Sequence, residues 1–381
     1  MLLSADEVLT GTEMLRPGWI EVAGGTITAL GAGDPPRPAD RDLGAATVVP
    51  GFVDTHVHGG GGGSFSHAGQ IRTAVALHRR HGTTTMVASL VTEAPDDLLR
   101  QVSDLAEATR AGLIAGIHLE GPWLAAERCG AHDPALLRDP DPEEVDRVLR
   151  AGAGTIRMVT LAPERTGALD AIRRIVDAGA VAAVGHTEAT YEQTRAAVDA
   201  GATVATHLFN AMRPIHHREP GPVIALVEDP RVTVEMITDG VHVAPALFRH
   251  ISRSAGPDRV SLVTDAMAAA GMADGAYRIG PLAVEVADQV AHLAGTDTIA
   301  GSTATFDRLF GFAVEHSGLP REEALIAAVR QSSVNPARAL GLTSPVLGPG
   351  TPADLVVLDQ KLAVSAVLSR GEWVPTAVSD A

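Results

Sequence analysis

Five short apolar segments of this chain each end in a histidine or a carboxylate. The polar residues at these ends are His56-Val57-His58, Glu120, His186, His207 and Asp265. Side chains that end successive strands can converge only if the strands lie side by side with their carboxyl ends together. A closed parallel barrel has this arrangement and keeps its active site at that end, whereas a doubly wound sheet would not bring all five to one point. Four imidazoles and two carboxylates at one place predict a divalent-metal site.

These segments belong to a longer alternation of apolar, β-branched runs with helical patterns. Eight candidate strands lie at 47–58, 84–91, 113–120, 156–162, 180–187, 202–208, 232–239 and 260–266. Helical patterns fill most of the gaps, at 71–81, 95–111, 143–151, 168–178, 191–200 and 245–254. The alternation predicts an α/β fold, a (β/α)8 TIM-type barrel over residues 51–342. We expect an inserted hairpin at 274–300, followed by helices at 303–317 and 321–340.

Both ends of the chain are rich in short strands and turns. Strand patterns occur at 19–22 and at 354–359, for example, between clusters of glycine and proline. Since isolated hairpins are only marginally stable, the two ends are expected to fold together as one small β-sandwich. The prediction is therefore a sandwich domain made of residues 1–50 and 343–381, with the barrel domain between them.

The composition excludes several classes of partner. The formal net charge of −16 argues against nucleic acid, whose binding requires concentrated positive charge. Hydrophobic residues make up 45% of the chain, enough for a large core. The first residues lack a basic start and a long apolar stretch, so we expect no signal peptide, no membrane segment and a cytoplasmic location. Cys129 is the only cysteine, which excludes an internal disulfide and a cysteine-rich metal site.

The His56-Val57-His58 segment places two imidazoles on the same side of one strand, because side chains two residues apart share a face. Both can therefore reach one ion in the barrel mouth. The glycine run at 59–63 lets the backbone turn without side chains blocking the site. Alone, such a pair could be two hydrogen-bonded polar histidines; with the other strand-end residues, metal ligation is the favoured interpretation.

The remaining strand-end residues extend this metal hypothesis. The carboxylate of Glu120 could bridge two cations or serve one. His186 and His207 end consecutive candidate strands, which favours an imidazole pair on a single ion. Asp265 could ligate the metal and also accept a proton from the attacking water; the alternative is a cap for the next helix.

The order of these residues along the chain resembles the amidohydrolase superfamily. The pattern is a histidine pair after the first strand, an acid after the third, histidines after the fifth and sixth, and an aspartate after the eighth. Residues 331–359 resemble the return of that superfamily to its small β domain. Many members bridge two metals with a carbamylated lysine. The only lysine here is Lys361, near the C-terminus, so Glu120 must do that work.

Longer motifs resemble a narrower group, the N-acetylglucosamine-6-phosphate deacetylase family. They are His118-Leu119-Glu120-Gly121-Pro122, Gly130-Ala131-His132, His207-Leu208-Phe209-Asn210-Ala211-Met212, Arg218-Glu219-Pro220-Gly221, Asp239-Gly240-Val241-His242 and Thr264-Asp265-Ala266-Met267. The similarity spans nearly the whole chain. It implies metal-dependent hydrolysis of N-acetylglucosamine 6-phosphate to glucosamine 6-phosphate and acetate, in amino sugar catabolism or cell-wall recycling.

This resemblance implies a role for each matching residue. The principal metal ligands are Glu120, His186 and His207. The general acid/base is Asp265, and His132 helps to polarise the acetyl carbonyl. The residues that match the sugar and phosphate binders are Asn210, Ala211, Arg218 and His242. Members are typically homodimers, and Arg218 is expected to reach the neighbouring site.

The sequence does not fix the number or the identity of the metal ions. Family members differ at the first histidine pair, so one or two ions per subunit are expected, with His56 and His58 holding the second. Zinc is the default for a histidine-rich site, and Fe2+, Mn2+ or Co2+ suit the same ligands. The loop at 122–133 is expected to act as a lid, with Cys129 as a bystander.

Two other functions are compatible with these patterns. One is a related amidohydrolase that acts on N-acetylgalactosamine 6-phosphate or another N-acyl substrate. The other is a non-catalytic sugar-phosphate sensor, against which the intact ligand set with Asp265 argues.

Overall fold

A barrel of eight parallel strands lies at the centre of the computed structural model, which describes residues 1–375. The strands are Phe52–Val57, Thr83–Leu90, Gly116–Glu120, Ile156–Leu161, Val181–Val184, Val204–Ala205, Thr233–Met236 and Val260–Leu262. Each pairs in parallel with the next one along the chain. The ring closes through a bridge between Val57 and Ala266 and a 2.8 Å hydrogen bond from the Asp265 N–H to the His56 carbonyl. The predicted (β/α)8 barrel is confirmed.

Several barrel strands are shorter than the apolar runs that predicted them. The sixth strand has only two residues, and the eighth ends at Leu262 instead of reaching 266. The reason is the backbone at the strand ends, since His207 and Asp265 have positive φ angles of 27° and 48°. A β-ladder needs negative φ, so each ladder ends before its polar residue.

Helices cover the outside of the barrel. They are Ile71–Arg80, Pro95–Arg110, Pro142–Gly152, Ala168–Asp177, Tyr191–Ala200, Gly221–Glu228, Pro245–Ala255, Phe306–His316, Arg321–Val329 and Asn335–Ala339, with short 3-10 turns at Ala68–Gln70, Ala126–Arg128 and Pro134–Leu136. The helix Ala168–Asp177 is an example of why they form here. Its apolar residues recur every three or four positions, so that one face of the helix is buried; these residues are Ala168, Ala171, Ile172 and Ile175.

Two helical regions differ from the sequence prediction. Residues Gly221–Glu228 form a helix that the patterns did not indicate, because seven of the eight residues in GPVIALVE are apolar or glycine and the segment has no polar stripe. The single helix expected at 321–340 is interrupted by a π-helical segment, Arg330–Val334. Pro336 follows it and has no N–H for the carbonyl four residues earlier, which disfavours a continuous α-helix.

The two ends of the chain form a β-sandwich beside the barrel. One sheet contains, in spatial order, Thr26–Ala32, Gly18–Ala23, Leu2–Ala5 and Arg41–Asp42. The other contains Glu372–Trp373, Val364–Ser369, Leu355–Leu358, Thr47–Pro50, Glu7–Leu9 and Met14–Leu15. Ile20 and Ile27 of the first sheet share one buried apolar cluster with Val48 and Leu355 of the second. The predicted sandwich of both termini is therefore present.

We propose that the two domains meet after residue 50 and before residue 343. The strand Thr47–Pro50 pairs within the sandwich, whereas the next strand, Phe52–Val57, pairs within the barrel. Residues 376–381, which the prediction assigns to the sandwich, lie outside the described residues. Among residues 1–375, no helix combines the length and apolar character needed to cross a bilayer.

An antiparallel insert follows the eighth barrel strand. The expected hairpin at 274–300 consists of three strands, Gly275–Ile279, Leu282–Ala287 and Val290–Leu293. Its apolar side packs against Val91 and Met267, next to the carboxyl ends of the second and eighth barrel strands. The insert therefore forms part of the wall above the barrel mouth.

Candidate metal centre

The strand-end residues converge at the carboxyl end of the barrel, and Glu120 lies at the centre of the group. Its two carboxylate oxygens are approached by five imidazole nitrogens. The Nε2 atoms lie 2.8 Å (His207), 3.0 Å (His186) and 3.4 Å (His56) from Oε1, and 3.2 Å (His58) and 3.4 Å (His132) from Oε2. All five rings and the carboxylate are buried.

Backbone conformation brings three of these side chains to the centre. His186, His207 and Asp265 each have positive φ, at 48°, 27° and 48°. This left-handed region costs a non-glycine residue on the order of 1–3 kcal/mol, and residues held in it cluster at functional sites. Strain at the ends of three different strands therefore marks this place in the fold.

The side chains form two groups of possible ligands that share Glu120. His56, His58 and Asp265 form the first group with it, and His186 and His207 form the second. Within each group, the candidate donor atoms all lie within 4.8 Å of one another. The His56–His58 and His186–His207 pairs each place two Nε2 atoms 3.1 Å apart. Two lone pairs facing each other at this distance need a cation or a proton, so the donors fit one or two metal ions.

Contacts of the outer ring nitrogens decide which nitrogen faces the centre. The Nδ1–H of His186 donates to the Arg128 carbonyl at 2.8 Å, which leaves its Nε2 lone pair for a metal. Nδ1 of His56 lies 3.7 Å from Glu235, whose other oxygen accepts a 2.8 Å hydrogen bond from the Thr55 hydroxyl. Glu235 thus places a second buried carboxylate behind the first histidine pair.

In the first group, neighbouring charges shift the pKa values of the side chains in the direction opposite to the effect of burial. Burial alone would lower the pKa of His56, but Glu120 and Asp265 raise it well above its usual value. Burial would likewise raise the pKa of Glu120, yet His56 and His186 hold it well below its usual value. The site therefore favours ionised carboxylates together with positive charge, which is the electrostatic requirement for binding a cation.

His132 has a different environment from the four histidines of the two candidate ligand groups. Its Nδ1 accepts a 3.1 Å hydrogen bond from the Thr92 N–H, so its Nε2 carries the proton and faces the centre. Burial lowers the pKa of this imidazole to about 4, although Glu120 opposes the shift. His132 is therefore a neutral hydrogen-bond donor at physiological pH.

A cavity of about 380 Å3 opens onto these residues. Of the predicted substrate binders, Asn210, Ala211, His132 and His242 line it. The His242 ring lies 2.7 Å from the Asp239 carboxylate, and although burial would lower its pKa, that carboxylate raises it. The predicted lid also reaches the cavity, through a stretch that includes Arg128, Gly130 and Ala131.

Two residues of the sequence motifs lie outside the two groups of possible ligands. Arg218 lies on an exposed turn, where its guanidinium donates to His217 Nε2 at 2.7 Å, and it does not line the cavity. His118, two residues before Glu120 in its motif, contacts the Ser89 and Thr160 hydroxyls at 2.9 and 2.8 Å. Its ring packs edge-on against His56, with the ring centres 4.4 Å apart, and so limits the orientations open to the His56 ring.

Sequence reasoning missed several residues of the cavity wall. Arg128 lies in a loop without periodicity, and Ile279, Thr298 and Ile299 come from the insert. No spacing rule connects such loop residues to the barrel. The only available signal was the position of the loop and the insert directly after the third and eighth barrel strands, because loops at that end carry the active site in barrels.

The chain belongs to the amidohydrolase family, whose model matches residues 47–374. The fold and the buried His, Glu and Asp cluster agree with the metal dependence of that family. Among solved structures, the chain is similar to a variant of N-acetyl-D-glucosamine-6-phosphate deacetylase from Mycobacterium smegmatis, in complex with N-acetyl-D-glucosamine-6-phosphate. The two are 69% identical with a TM-score of 0.98, and the match covers 99% of each chain.

Curated relatives carry related names. The chain is 38% identical to the N-acetylglucosamine-6-phosphate deacetylase of Homo sapiens, over 89% of this chain and 86% of that protein. It is 36% identical to the N-acetylgalactosamine-6-phosphate deacetylase of Escherichia coli O157:H7, over 97% of this chain and 98% of that protein.

Proposed function

We propose that this enzyme hydrolyses the acetamide of N-acetylglucosamine 6-phosphate, giving glucosamine 6-phosphate and acetate. The observation that carries the proposal is the group of five imidazoles and Asp265 around Glu120, which opens onto a cavity of small-molecule size. The similarity to the M. smegmatis deacetylase over 99% of the chain supports the same substrate.

The proposed cofactor is a divalent metal ion held by Glu120, His186 and His207. A second ion would be held by His56 and His58 with Asp265, and Glu120 would be shared. Zinc fits the imidazole-rich donor set best, whereas Fe2+, Mn2+ and Co2+ are accepted by similar ligands. When bound, the ion supplies Lewis acidity, polarising a carbonyl and lowering the pKa of water towards 7.

Asp265 is the proposed general acid/base. Its Oδ1 lies 3.4 Å from His56 Nε2 and 3.2 Å from His58 Nε2. Burial would raise the pKa of this carboxyl, but His56 and His58 hold it well below its usual value, so it is ionised at neutral pH. It can therefore accept a proton from the attacking water and pass it to the departing amine.

His132 is the proposed hydrogen-bond donor to the acetyl oxygen. Its neutral ring is fixed through the Thr92 N–H, and its Nε2–H points to the same centre as Asp265. A donor held in place before the reaction stabilises the negative charge that develops on the carbonyl oxygen. Asn210, Ala211 and His242 would hold the sugar along the cavity wall.

Arg218 is proposed to bind the phosphate of the substrate that occupies the cavity of the neighbouring subunit in a homodimer. It is exposed, lies outside the cavity of its own chain, and has a guanidinium suited to phosphate. Replacing Arg218 by glutamine should raise KM for the phosphorylated sugar and leave KM for the unphosphorylated sugar nearly unchanged. A dimer in equilibrium sedimentation is expected; a monomer with full activity would contradict the shared site.

An acetate-release assay with purified, metal-loaded enzyme tests the function. We expect turnover of N-acetylglucosamine 6-phosphate, a large loss when the phosphate is omitted, and elemental analysis that shows a divalent metal. Since one relative is named for the galactosamine epimer, that sugar phosphate belongs in the same panel. Faster release from it, or from an unrelated N-acyl substrate, would replace the proposed substrate.

The variant Asp265→Asn tests the mechanism. It should keep the ion held by Glu120, His186 and His207 and lose about 10²–10⁴-fold in kcat, the range expected for losing a general acid/base. Asp177→Asn, an exposed aspartate at the end of a helix on the barrel surface, is the matched control. Wild-type turnover by Asp265→Asn would remove this residue from the reaction.

A further inference from the structure

A second cavity lies at the opposite end of the barrel, where the strands begin. Its volume is about 730 Å3, within the usual range for small-molecule sites. Its walls are the helix Ile71–Arg80, the first residues of the strand Thr83–Leu90, the loop at 112–115 and the segment 369–375 of the sandwich. It therefore lies at the junction of barrel and sandwich, remote from the proposed reaction centre.

The lining of this cavity is strongly basic. Its ionisable residues are four arginines, Arg72, Arg79, Arg80 and Arg370, and one carboxylate, Glu372. The chain as a whole has 46 acidic and 30 basic residues, excluding histidine, so this concentration of positive charge runs against its average. Like charges that share a cavity repel each other, and an anion bound among them would remove that cost.

Arg79 carries the clearest sign of an unmet partner. Its Nη2 donates to the Leu113 carbonyl at 3.4 Å, but its buried Nε has no hydrogen-bond partner in the part of the chain that the structure describes. Burial and the neighbouring Arg370 lower the pKa of its guanidinium. The described residues therefore leave the Arg79 guanidinium incompletely paired, and a buried donor without a partner is costly.

The four cavity arginines differ from several other arginines of the protein, which form ion pairs with carboxylates. Arg138 pairs with Glu144 at 2.7 Å, for example. Within residues 1–375, no such ion pair joins the four cavity arginines to a carboxylate. Asp354 acts on Arg79 and Arg370, but it accepts the Arg370 backbone N–H, and burial raises the pKa of its carboxyl.

The remaining lining residues suggest what else a ligand would contact. Trp373, Leu113 and Ile114 supply aromatic and apolar surface beside the guanidinium groups. Arg41 lies 4.2 Å from the centre of the Trp373 ring and covers one of its faces. A guanidinium fork matches phosphate oxygens, and flat or apolar groups pack on aromatic and aliphatic side chains.

We propose that this cavity binds a small phosphorylated molecule with a flat or apolar part, of the size of a nucleoside monophosphate, at a site separate from the reaction centre. The phosphate contacts Arg79 and Arg370, and the rest of the ligand lies against Trp373 and Leu113.

Calorimetric titration of the full, metal-loaded chain with AMP, adenosine and inorganic phosphate tests the proposal. AMP should bind at least tenfold more tightly than adenosine, and inorganic phosphate should weaken its binding by competition. The double variant Arg79→Gln/Arg370→Gln should bind AMP at least tenfold more weakly, with an unchanged KM for the amino sugar phosphate. Arg147→Gln, an exposed arginine on another helix, should bind AMP like the wild type.

Three results would overturn the proposal. They are no binding of AMP to the wild type, equal binding of AMP and adenosine, and an unchanged AMP affinity in the double variant. Because Arg79 is half-buried, the exposed Arg370→Gln is measured alone as well, with thermal unfolding to verify its fold. A single variant that folds and keeps full AMP affinity would contradict the assigned contact.

Discussion

The two histidine pairs on either side of Glu120 are built in different ways. His56 and His58 come from one strand and its first following residue, and the alternation of the strand directs both to the same side. His186 and His207 come from different strands, and each needs a left-handed backbone, with φ of 48° and 27°. The first pair is positioned by regular strand structure, and the second by a left-handed backbone conformation at two strand ends.

The surroundings of the two pairs differ as well. The first pair faces Asp265 and has Glu235 behind it, so it lies among carboxylates. The second pair lies close to a single oxygen, Oε1 of Glu120, at 3.0 and 2.8 Å. Three donors around one point suit a tightly held ion, whereas the proposed mechanism gives the first pair both cation binding and, through Asp265, proton transfer. Two neighbouring halves of one site can thus serve different steps of one reaction.

Removing the shared carboxylate should have the largest effect, because it acts on both pairs. In Glu120→Gln we expect metal content to fall on both sides and kcat/KM to fall on the order of 10⁴-fold, as for central catalytic residues. Metal analysis and acetate release measure this, with the exposed Glu323→Gln as the control. A variant that keeps a full metal complement would show that the imidazoles bind without the bridge.

Replacing one histidine at a time separates the pairs. His186→Asn should lose the principal ion and about 10³-fold in kcat/KM, because the three closest donors become two. His58→Asn should keep that ion and lose about 10–100-fold, the usual range for supporting residues of a metal site. Metal per subunit and kcat/KM are measured together for both variants. Equal loss of metal in the two would mean that a single ion uses both pairs.

The convergence of the candidate ligands could be predicted because they end apolar strands. His56, Glu120 and Asp265 follow largely apolar runs, and parallel strands of a barrel bring such ends together whatever their separation in sequence. The order of the eight strands and the sandwich of both termini follow from the same local patterns. The predicted strand ends were less accurate, since the positive φ of Asp265 ends the ladder earlier than its apolar run suggests.

The parts that sequence reasoning missed have no local pattern. The helix Gly221–Glu228 is apolar on all sides and therefore lacks helical periodicity. Arg128 and Thr298 line the cavity at the candidate metal centre through loop conformations, which depend on tertiary contacts such as the hydrogen bond between the Arg128 carbonyl and His186. The arginines of the second cavity are scattered between 72 and 370, so only the fold brings them together.

A variant of His132 extends the comparison to a histidine that belongs to neither pair. It approaches the other oxygen of Glu120 and keeps a proton on Nε2 because the Thr92 N–H occupies Nδ1. His132→Ala should lower kcat about 10²–10³-fold, the usual loss for one oxyanion donor, with a smaller change in KM. Steady-state kinetics with metal content as the control measures this. A large loss of metal would instead make His132 a ligand and enlarge the set around Glu120.

The smallest expected effect concerns the support of the first pair. His78 lies under the glycine run that follows His58, and its Nε2–H donates to the Gly59 carbonyl at 2.8 Å. Burial lowers the pKa of His78 to about 4, below its ordinary value of 6.5. The folded state therefore keeps the ring neutral, while the unfolded chain takes up a proton below about pH 6.5. The stability contribution is complete above that pH and is lost as the pH falls towards 4.

His78→Gln keeps a donor for the Gly59 carbonyl but removes this titration. Its unfolding free energy should vary less between pH 7 and pH 4.5 than that of the wild type, by about 2 kcal/mol, because one unit of pKa shift corresponds to roughly 1.4 kcal/mol. Urea unfolding at several pH values, at saturating metal, measures the difference, and the exposed His250→Gln is the control. Parallel pH profiles for His78→Gln and wild type would mean that the pKa of His78 is the same in the folded and unfolded chain. The first pair would then rest against a ring that becomes charged below about pH 6.5 rather than one that stays neutral.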